Sequence, residues 1–473
     1  MTFTELMVKI DDMVWGVPLI VLIMGTGLLL TCRIGLLQFR KLGLALKFMV
    51  KNEEGGEGEV SSFGALCTAM AATIGTGNIV GVASAIAAGG PGALFWMVMA
   101  ACLGMATKYS EGLLAVKYRQ IDAEGHALGG PFYYIEKGMG KSWTWLAKLF
   151  ALFAALAGLL GIGTITQVNG IASAALTVFD PNVQKVAFTI GGNSYSWVTV
   201  IVAAAVAIFA ALVIIGGIQR ISSVTTIIVP FMAVAYVSVA VAILIYHVKE
   251  IPAALVEIVE SAFGLRAMAG GALGAMMVAM QKGVARGIFS NEAGLGSAPI
   301  AAAAAKTNEP VRQGLVTMTG TFVDTIIVCT MTGLTIMVTG ANDVIGLEGS
   351  QITSYAFQNG LPWAPQIGSV ILMLALMFFA FTTILGWDYY AERSLEYLTG
   401  GKMGIVKVYR WLYIAAVFVG PFLTVSAVWT IADIFNGLMA FPNLIALVAL
   451  SGVVAKETKS YFDRVKSGEV STK

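Results

Sequence analysis

The sequence predicts an all-α polytopic membrane protein with eleven transmembrane helices, two of which are discontinuous. Of the 473 residues, 58% are hydrophobic and only 12% are charged, whereas a soluble globular protein has roughly 25% charged residues. Apolar stretches of about 20 residues, the length that crosses a bilayer, recur along the chain. The net charge is only +2 and no basic cluster lies among aromatic residues, so nucleic acid is not expected as a partner.

The apolar stretches define the order and orientation of the spans. They lie at about 14–32, 61–89, 91–118, 143–179, 197–216, 221–246, 266–287, 312–339, 364–390, 408–427 and 429–454. With 33–60 placed in the cytoplasm, only Lys9, Lys185, Lys249 and Arg266 of the 29 lysines and arginines lie outside. The positive-inside rule then predicts an external N-terminus and a cytoplasmic C-terminus, as an odd number of spans requires.

The ten spans after the first divide into two groups of five, and an interrupted helix opens each group. Segment 1–60 then holds an extra N-terminal helix and a cytoplasmic loop, 61–246 and 247–454 are two five-helix repeats, and 455–473 is a cytoplasmic tail. An odd number of helices per repeat inverts one repeat relative to the other. Paired interruptions at equivalent places indicate an inverted-repeat transporter with its binding site near the bilayer midplane.

The first interruption is expected at 71–78, within the second span. Glycine is a poor helix former, and an unpaired amide in hydrocarbon costs several kcal/mol, so a break is tolerable only where it faces a polar cavity. The freed N–H groups would attract an anion, and the last carbonyls of the preceding half-helix, at Ala71 and Ile74, would attract a cation. The substrate-binding residues predicted here are Thr73, Gly75, Thr76, Gly77 and Asn78.

The second interruption is expected in the seventh span, where Gly270, Gly271, Ala272 and Gly274 fall in an otherwise apolar stretch. Its carbonyls would bind an ammonium group while the amides of the first interruption bind a carboxylate. A zwitterion is therefore the ligand that suits the pair of interruptions best. The alternative is that these glycines only allow two helices to pack closely.

Two adjacent threonines, Thr382 and Thr383, lie inside the ninth span. Their hydroxyls, the Phe379 carbonyl and the carbonyls of Ala71 and Ile74 would together form a site of oxygen donors. Because this set contains no carboxylate, it suits a monovalent cation such as Na⁺ better than a divalent one. In the alternative interpretation, each hydroxyl only bonds the carbonyl one turn earlier in its own helix.

The fourth span contains two side chains that are too polar to face lipid, Gln167 and Asn169. Gln167 either lines the substrate cavity or ties two helices together, and both interpretations remain open. Asn169 is expected to tie helices. The small residues around them would let this helix approach the first interruption closely.

Four acidic residues fall within the spans: Glu111, Asp324, Asp388 and Asp433. Asp324 is the deepest and is a candidate for a second cation, a proton relay or a gate. The alternative is a structural ion pair with Lys282 or Arg286. Glu111 and Asp388 are expected near cytoplasmic span ends, as snorkelling or gate residues, whereas Asp433 lies near the outer side without an obvious cationic partner.

Several functional classes are disfavoured by the residues that are present. No GxxxxGK[ST] sequence occurs, so ATP-driven transport by this chain alone is not expected. No nucleophile–base pair can be assembled from the residues of the spans, so an enzyme is not expected either. An ion channel is a remote alternative, because no repeated pore loop accompanies the two interruptions. The functions that remain are transport driven by an ion gradient and simple equilibration of a solute across the membrane.

Three longer motifs support this interpretation. They are IGTGN at 74–78 with GGPGALFW at 89–96, GGPFYYI at 129–135, and RGIFSNEAGLGSAP at 286–299. With these motifs the chain resembles, over nearly its whole length, the alanine or glycine:cation symporter family. That family is a branch of the amino acid–polyamine–organocation superfamily and has the LeuT-type inverted-repeat fold. The third motif is expected on the cytoplasmic side, as a gate element or capping turn, with Ser290 or Asn291 as the cap.

The resemblance implies Na⁺- or H⁺-coupled uptake of alanine or glycine across a bacterial or archaeal cytoplasmic membrane. It also implies that the common sodium site of the fold maps onto the five oxygen donors named above. Asn78 looks like an asparagine that binds a first sodium in some LeuT-type members, but ligands for a second sodium cannot be placed, so one coupling ion is expected. We expect membrane lipid as the surroundings and the monomer as the functional unit. The rival is a proton-coupled or exchange carrier for another small amino acid.

Overall fold

The structure is a computed structural model that describes residues 3–51, 53, 55–122, 125–190, 193–265, 271–423 and 425–470. Within these ranges the chain is mostly helical, with two short antiparallel hairpins. Nine of the described helices are long and apolar enough to cross a membrane, and a bent helix pair brings the number to ten. The chain is therefore a multi-pass membrane protein, as the sequence predicts.

The N-terminal part contains the first bent helix. Its elements are α1 (Phe3–Val14), α2 (Val17–Arg33), α3 (Leu37–Arg40), α4 (Leu42–Val50), α5 (Ser62–Thr73), a π-helical turn at Gly77–Gly81, α6 (Val82–Gly89) and α7 (Gly92–Tyr118). α5 and the helix that follows it are bent by 52° at the break between them. This bend lies where the sequence predicts the first interruption.

The middle part contains both hairpins. The first pairs β1 (Gln120–Ile121) with β2 (Ala127–Leu128), and the second pairs β3 (Val186–Ile190) with β4 (Asn193–Ser196). The helices here are α8 (Pro131–Tyr134), a π-helical turn at Ile135–Met139, a 3₁₀ turn at Lys141–Trp143, α9 (Thr144–Leu160), α10 (Ile165–Phe179), α11 (Trp197–Ile214), α12 (Gly217–Tyr246) and α13 (Ile251–Ala262).

The C-terminal part contains a second discontinuous helix and the longest helices. Its elements are α14 (Ala272–Asn291), α15 (Ala298–Ala302), α16 (Pro310–Thr321), a π-helical segment at Phe322–Cys329, α17 (Thr330–Val338), a 3₁₀ turn at Ala341–Asp343, α18 (Ser350–Asn359), α19 (Pro365–Thr399), α20 (Met403–Val419), a 3₁₀ turn at Gly420–Phe422 and α21 (Val425–Ser467).

Small residues let the central helices approach one another. α7 packs against α14 and α16, and α19 packs against α5, α9 and α10. A Cβ added at Gly112 of α7 would lie 2.4 Å from Thr317 Oγ1 of α16, and one at Gly283 of α14 would lie 2.2 Å from the Ala93 carbonyl oxygen. Such close helix contacts are typical of membrane proteins, where small side chains permit dense packing.

The second interruption is not where the sequence analysis placed it. α14 begins at Ala272 and continues without a break through Gly274, while Gly271 precedes it and Gly270 lies outside the described residues. A Cβ added at Gly274 would meet nothing within 4 Å, so no close helix packing requires this glycine either. A glycine inside a helix costs only about 1 kcal/mol, so glycine content alone does not fix the position of a break.

The actual break separates α14 from α15, at Glu292–Ser297. Glu292 has φ 56°, and Gly294 and Gly296 have φ 90° and 82°. Residues other than glycine rarely adopt such positive φ values. All of these residues are buried. The sequence predicts a loop on the cytoplasmic side here; the break is buried between two helices, and its side of the membrane stays a prediction. Asn291 Oδ1 accepts a hydrogen bond from Ala293 N at 2.9 Å, but α15 begins after Ser297 without a side-chain cap, so the capping of the following helix predicted for Ser290 or Asn291 is not formed.

A further break divides the fourth predicted span. α9 ends at Leu160 and α10 begins at Ile165, and Thr164 has φ −127° and ψ −75°, which is not helical. The sequence analysis treated 143–179 as one helix. The Thr164 hydroxyl compensates the lost helical bonds by donating to the carbonyls of Gly158 and Leu159, at 3.2 and 2.7 Å.

The sequence places the four basic residues of 282–312 together on the cytoplasmic side. In the structure they do not all lie at one end of the molecule. Lys282 and Arg286 lie beside Asp11 of α1, at the end that the charge count assigns to the outside. Arg312, in contrast, donates to the Lys51 carbonyl oxygen at 2.6 Å, at the opposite end. α14 is not among the ten apolar helices because it carries these charges, and the count of eleven spans stays a prediction.

Candidate functional site

The first interruption exposes backbone groups in a buried setting. α5 ends at Ile74, whose ψ of 93° takes the chain out of the helix. The Gly75 N–H donates to Asn78 Oδ1 at 2.9 Å, and the Thr76 N–H donates to Gln167 Oε1 at 3.2 Å. Two of the amides predicted to bind a carboxylate thus already have acceptors in the protein. The Thr76 hydroxyl is buried without a hydrogen-bond partner among the described residues.

Gln167 contacts the interruption itself. Besides accepting from Thr76, its Nε2 donates to the Ile162 carbonyl oxygen at 2.9 Å, within the break between α9 and α10. The side chain therefore links two places where the backbone leaves the helix. Asn169 instead donates to the Leu423 carbonyl oxygen at 3.3 Å, a contact of the helix-tying kind.

Two glycines allow other helices to approach the interruption. A Cβ added at Gly75 would lie 2.5 Å from Thr383 Oγ1, and one at Gly77 would lie 3.1 Å from Ser290 Cα. Thr383 belongs to α19, and Ser290 lies one turn from the second interruption. The two interrupted helices and α19 therefore meet at Gly75–Gly77.

Oxygen atoms from two helices converge beside Gly75. The Thr383 hydroxyl lies 3.0 Å from the Phe379 carbonyl oxygen and 3.4 Å from the Ile74 carbonyl oxygen. The neighbouring Thr382 hydroxyl lies 3.1 and 3.0 Å from the carbonyl oxygens of Phe378 and Phe379. Both threonines make the bonds to the preceding turn that the alternative interpretation predicts, and Thr383 also reaches across to the interruption.

The remaining predicted ligand, Ala71, is fully buried one helical turn before Ile74. Within the described residues its carbonyl oxygen makes no hydrogen bond to α19, whereas the oxygen atoms of Ile74, Phe379 and Thr383 lie close together. Among the described residues no group of three or more His, Cys, Asp or Glu side chains could hold a metal ion. A divalent-metal centre of that type is thus not formed by the part of the chain that the structure describes.

Asp324 lies on the opposite side of Asn78 from Gly75. Asn78 Nδ2 donates to Asp324 Oδ1 at 2.7 Å, and the hydroxyls of Ser290 and Thr325 donate to Asp324 Oδ2 at 2.9 and 2.6 Å. This carboxylate is fully buried. It is therefore connected through one side chain to the first interruption and through another to the end of α14.

Sequence reasoning identified Asp324 but missed its hydroxyl partners, Ser290 and Thr325. The alternative of an ion pair with Lys282 or Arg286 is not supported by the contacts of Asp324 among the described residues, which are with Asn78, Ser290 and Thr325; Arg286 pairs with Asp433. The sequence does indicate that such donors must exist, because a lone acidic residue in an apolar helix needs hydrogen-bond donors. The sequence does not reveal which distant donors meet it.

The second interruption is held by charged and polar side chains. Glu292 Oε1 accepts from Trp387 Nε1 at 2.7 Å, and its Oε2 accepts from the Ser297 hydroxyl at 2.5 Å. Glu111 Oε1 accepts from the Gly294 N–H at 3.2 Å and from Asn443 Nδ2 at 2.7 Å. Glu111 is fully buried, so the expectation of a snorkelling residue is wrong, and the alternative of a gate residue stays a prediction.

One end of the molecule is closed by an ion pair. Arg286 donates to both carboxylate oxygens of Asp433, at 3.1 and 2.9 Å, in the bidentate geometry that suits guanidinium and carboxylate. Trp15 Nε1 donates to the Asp433 carbonyl oxygen at 2.8 Å, so the N-terminal helices take part. The cationic partner that the sequence did not reveal for Asp433 is Arg286, which lies 147 residues away in the chain.

The other end is closed by backbone carbonyls around Arg119. Its guanidinium donates to the carbonyl oxygens of Ala303, Ala305 and Thr307 at 2.6–2.8 Å. Nearby, the Glu59 carboxylate lies 3.2 Å from His126 Nδ1 and raises the pKa of that histidine. Asp388 is buried beside the Glu392–Arg410 ion pair. These contacts involve residues of several helices on either side of the interrupted region.

Buried interruptions of this kind in apolar helices are typical of helical membrane transporters. The whole chain, residues 1–473, matches the model of the sodium:alanine symporter family. The chain belongs to that family, which is a family of transporters and not of enzymes.

Individual relatives agree with this assignment. The chain is 46% identical to the sodium/alanine symporter AgcS of Methanococcus maripaludis, over 99% of both chains. It is 54% identical to an uncharacterized transporter of Haemophilus influenzae, over 98% of both chains. Identity to the probable sodium/glutamine symporter GlnT of Bacillus subtilis is 37%, over 97% of this chain and 91% of that protein.

A solved structure supports the fold alone. MhsT, a LeuT-fold protein crystallised with L-phenylalanine, superposes on this chain with a TM-score of 0.56 at 14% identity. The match covers 85% of this chain and 99% of MhsT.

The Arg286–Asp433 pair can be tested by stability. Arg286→Met leaves the Asp433 carboxylate without its bonded cation. Breaking a fully buried ion pair costs about 3–5 kcal/mol, and because the Arg286 side chain is 25% exposed, we expect a smaller cost here. Replacing both residues, as Arg286→Met with Asp433→Leu, removes both charges together. We expect the single variant to lower the apparent melting temperature in detergent more than the double variant does. Equal shifts would mean that the pair is too well solvated to matter.

Proposed function

We propose that the protein is a secondary active transporter that moves a small neutral amino acid, alanine or glycine, into the cell together with Na⁺ by alternating access. The observation that carries the proposal is the meeting of Thr383, Ile74 and Gly75 at a buried break in a membrane helix. There, oxygen atoms suited to a monovalent cation lie next to amides suited to a carboxylate. The family and the name of the 46% identical relative support the same substrates.

In this proposal the substrate carboxylate binds at Gly75, Thr76 and Gly77. Because the Thr76 N–H is bonded to Gln167 Oε1 at 3.2 Å, the carboxylate takes the place of that side chain. The ammonium group then faces the end of α14 near Ser290, rather than the start of α14 at Gly271, which is exposed. A side chain no larger than a methyl group suits a space between two helices that approach as closely as Gly77 and Ser290 do.

The transported cation is proposed to bind the carbonyl oxygens of Ala71, Ile74 and Phe379 and the hydroxyls of Thr382 and Thr383. These ligands carry no formal charge. Asp324, which is bonded to Asn78 on the other side of the interruption, supplies a negative charge that favours a cation there. One coupling ion per substrate follows from a single set of ligands.

The finer architecture belongs to the same proposal. We propose eleven spans, with α14 and α15 together forming the seventh, arranged as two inverted five-helix repeats after an extra N-terminal helix. The likeness to a LeuT-fold structure supports this arrangement. The N-terminus is placed outside and the C-terminus in the cytoplasm of the cell membrane, because the surplus of lysine and arginine then lies inside. The functional unit is proposed to be the monomer.

A proton-coupled or exchange carrier is the second candidate. It is favoured by one observation: both Thr382 and Thr383 hydroxyls already bond carbonyls of their own helix, at 3.0 and 3.1 Å, while Asp324 offers a buried carboxyl. In that case Asp324 carries a proton and the threonines are structural.

The two candidates are separated by transport in proteoliposomes. Purified protein is reconstituted and uptake of radiolabelled alanine is measured under an inward Na⁺ gradient, and separately under an inward H⁺ gradient. Accumulation driven by Na⁺ alone supports the symporter, and accumulation driven by H⁺ alone supports the proton-coupled carrier. Competition by unlabelled glycine and by both enantiomers of alanine then defines the substrate.

Thr383→Ala tests the cation site. Loss of one ligand to a charged group removes roughly 1.5–3 kcal/mol, so we expect the Na⁺ concentration for half-maximal uptake to rise about tenfold or more, with unchanged protein yield. Thr399→Ala is the matched control, because Thr399 lies in the same helix and bonds the Leu395 carbonyl oxygen in the same way. An unchanged Na⁺ dependence of Thr383→Ala would remove Thr383 from the site.

Gly77→Val tests the substrate site. The added side chain would fill the gap to Ser290 and Phe289, where a Cβ alone already lies within 3.1–3.4 Å of both residues. We expect loss of alanine binding, measured by scintillation proximity with purified protein. Gly274→Val is the control, since a Cβ there meets nothing within 4 Å. Wild-type affinity in Gly77→Val would contradict the carboxylate assignment.

Asp324→Asn tests whether this carboxylate serves transport or only packing. The change keeps the size of the side chain and removes its charge, so a packing role would leave uptake largely intact. We expect Na⁺-driven uptake to be lost in a variant that still elutes as a folded monodisperse protein. Asp343→Asn, in the 3₁₀ turn after α17, is the control for the substitution itself.

A further inference from the structure

Lys108 of α7 is a buried lysine that the proposed transport sites do not use. We propose that its ammonium group is an internal counter-ion that balances Asp324 when the transported cation has left, so that the empty carrier can return. The inference rests on the proposed function, because it assigns a residue to one step of the transport cycle.

The position of Lys108 supports this role. Its exposed fraction is only 2%, and Nζ has no hydrogen-bond partner among the described residues. The side chain lines a small cavity together with Thr73, at the end of α5, and Asn291, at the end of α14. The ammonium group is thus placed between the two interrupted helices, immediately before each break.

Lys108 lies among buried acidic residues, yet its ammonium group is not hydrogen-bonded to any of them. Three fully buried carboxyl groups, those of Glu111, Glu292 and Asp324, interact electrostatically with Lys108. A buried charge is costly unless it is paired, yet this lysine is bonded to none of the three. Lysine carries a compact charge on a flexible four-carbon stem, so in this proposal a change of side-chain rotamer brings the ammonium group closer to one carboxylate or to another.

A chain of hydrogen bonds connects the lining of the cavity to Asp324. Asn291 lines the cavity, and its Nδ2 donates to the Thr325 hydroxyl at 3.0 Å, which in turn donates to Asp324 Oδ2 at 2.6 Å. In the proposal, Asp324 and Glu292 are two alternative acceptors for the ammonium group: Asp324 is bonded to the first interruption through Asn78, and Glu292 belongs to the second.

The transport cycle gives this arrangement a consequence. When a cation is bound at the proposed site, across Asn78 from Asp324, like charges repel, and the ammonium is favoured near Glu292 or Glu111. When the cation leaves, the carboxylate of Asp324 would stay uncompensated in a low-dielectric interior unless another cation replaced it. Lys108 supplies that charge. The lysine is then needed for the return of the empty carrier but not for movement of the loaded carrier.

Two transport assays on proteoliposomes separate these steps. Net uptake of labelled alanine into vesicles without internal substrate requires return of the empty carrier. Exchange of labelled for unlabelled alanine, with Na⁺ on both sides, uses only loaded forms. For Lys108→Met we expect net uptake to fall about tenfold or more, as for loss of a buried charge pair, while exchange stays within about twofold of wild type. Half-maximal exchange should also need less Na⁺, because a competing cation is gone.

Lys117→Met is the matched control, because Lys117 lies in the same helix and pairs with Glu457 near the surface at 2.7 Å. It is expected to retain both activities. Lys108→Arg keeps the charge and should restore net uptake at least in part. Should Lys108→Met fail to fold, Lys108→Gln keeps a polar side chain without the charge and is expected to give the same separation of net uptake from exchange.

Equal losses of net uptake and exchange, or retention of both, in the folded variant would overturn the role of Lys108. Failure of the proposed function is a different result, because wild-type protein would then show no Na⁺-driven uptake. The wild-type measurement is made first, and the variants are compared with it in the same vesicle preparation.

Discussion

The structure depends on one constraint: a backbone amide or carbonyl that leaves a helix inside a membrane must find a partner in the protein. The first interruption satisfies this through Asn78 and Gln167, which accept from Gly75 and Thr76. The second satisfies it through Glu111, which accepts from the Gly294 N–H. The polar side chains of the interior are therefore not scattered. They lie where the helices are broken, because the breaks require them.

The same constraint makes the groups that stabilise the broken helices relevant to ligand binding. A group that satisfies a broken helix is also the group with which an incoming ligand must compete. Gln167 accepts from the Thr76 N–H, so in the proposed function a carboxylate that bound there would displace its side chain. Because Nε2 of the same side chain donates to the Ile162 carbonyl oxygen, that displacement would also alter the break between α9 and α10. The proposal thus couples substrate binding to the geometry of this break through one side chain.

The features that could be predicted from the sequence are those that depend on local composition. The first interruption follows from glycines around Asn78, and the membrane class follows from the apolar spans. The second interruption was misplaced because glycine density favoured 270–274, whereas the real break at Glu292 contains a charged residue that resembles a loop. Its burial depends on Trp387, 95 residues away, and no local pattern shows that contact. The pairing of Arg286 with Asp433 escaped for the same reason.

The two interruptions are held in different ways, and this difference limits how they can move. The amides of the first are bonded by its own Asn78 and by α10, whereas the second is bonded by Glu111 of α7 and by Trp387 of α19. A shift of α14 and α15 relative to α7 therefore has to break the Glu111 bond to Gly294 or to carry α7 along. Since Glu111 and Lys108 share one face of α7, any movement of this helix also changes the charge beside both interruptions. A change of conformation and a change of charge are thereby linked on a single helix.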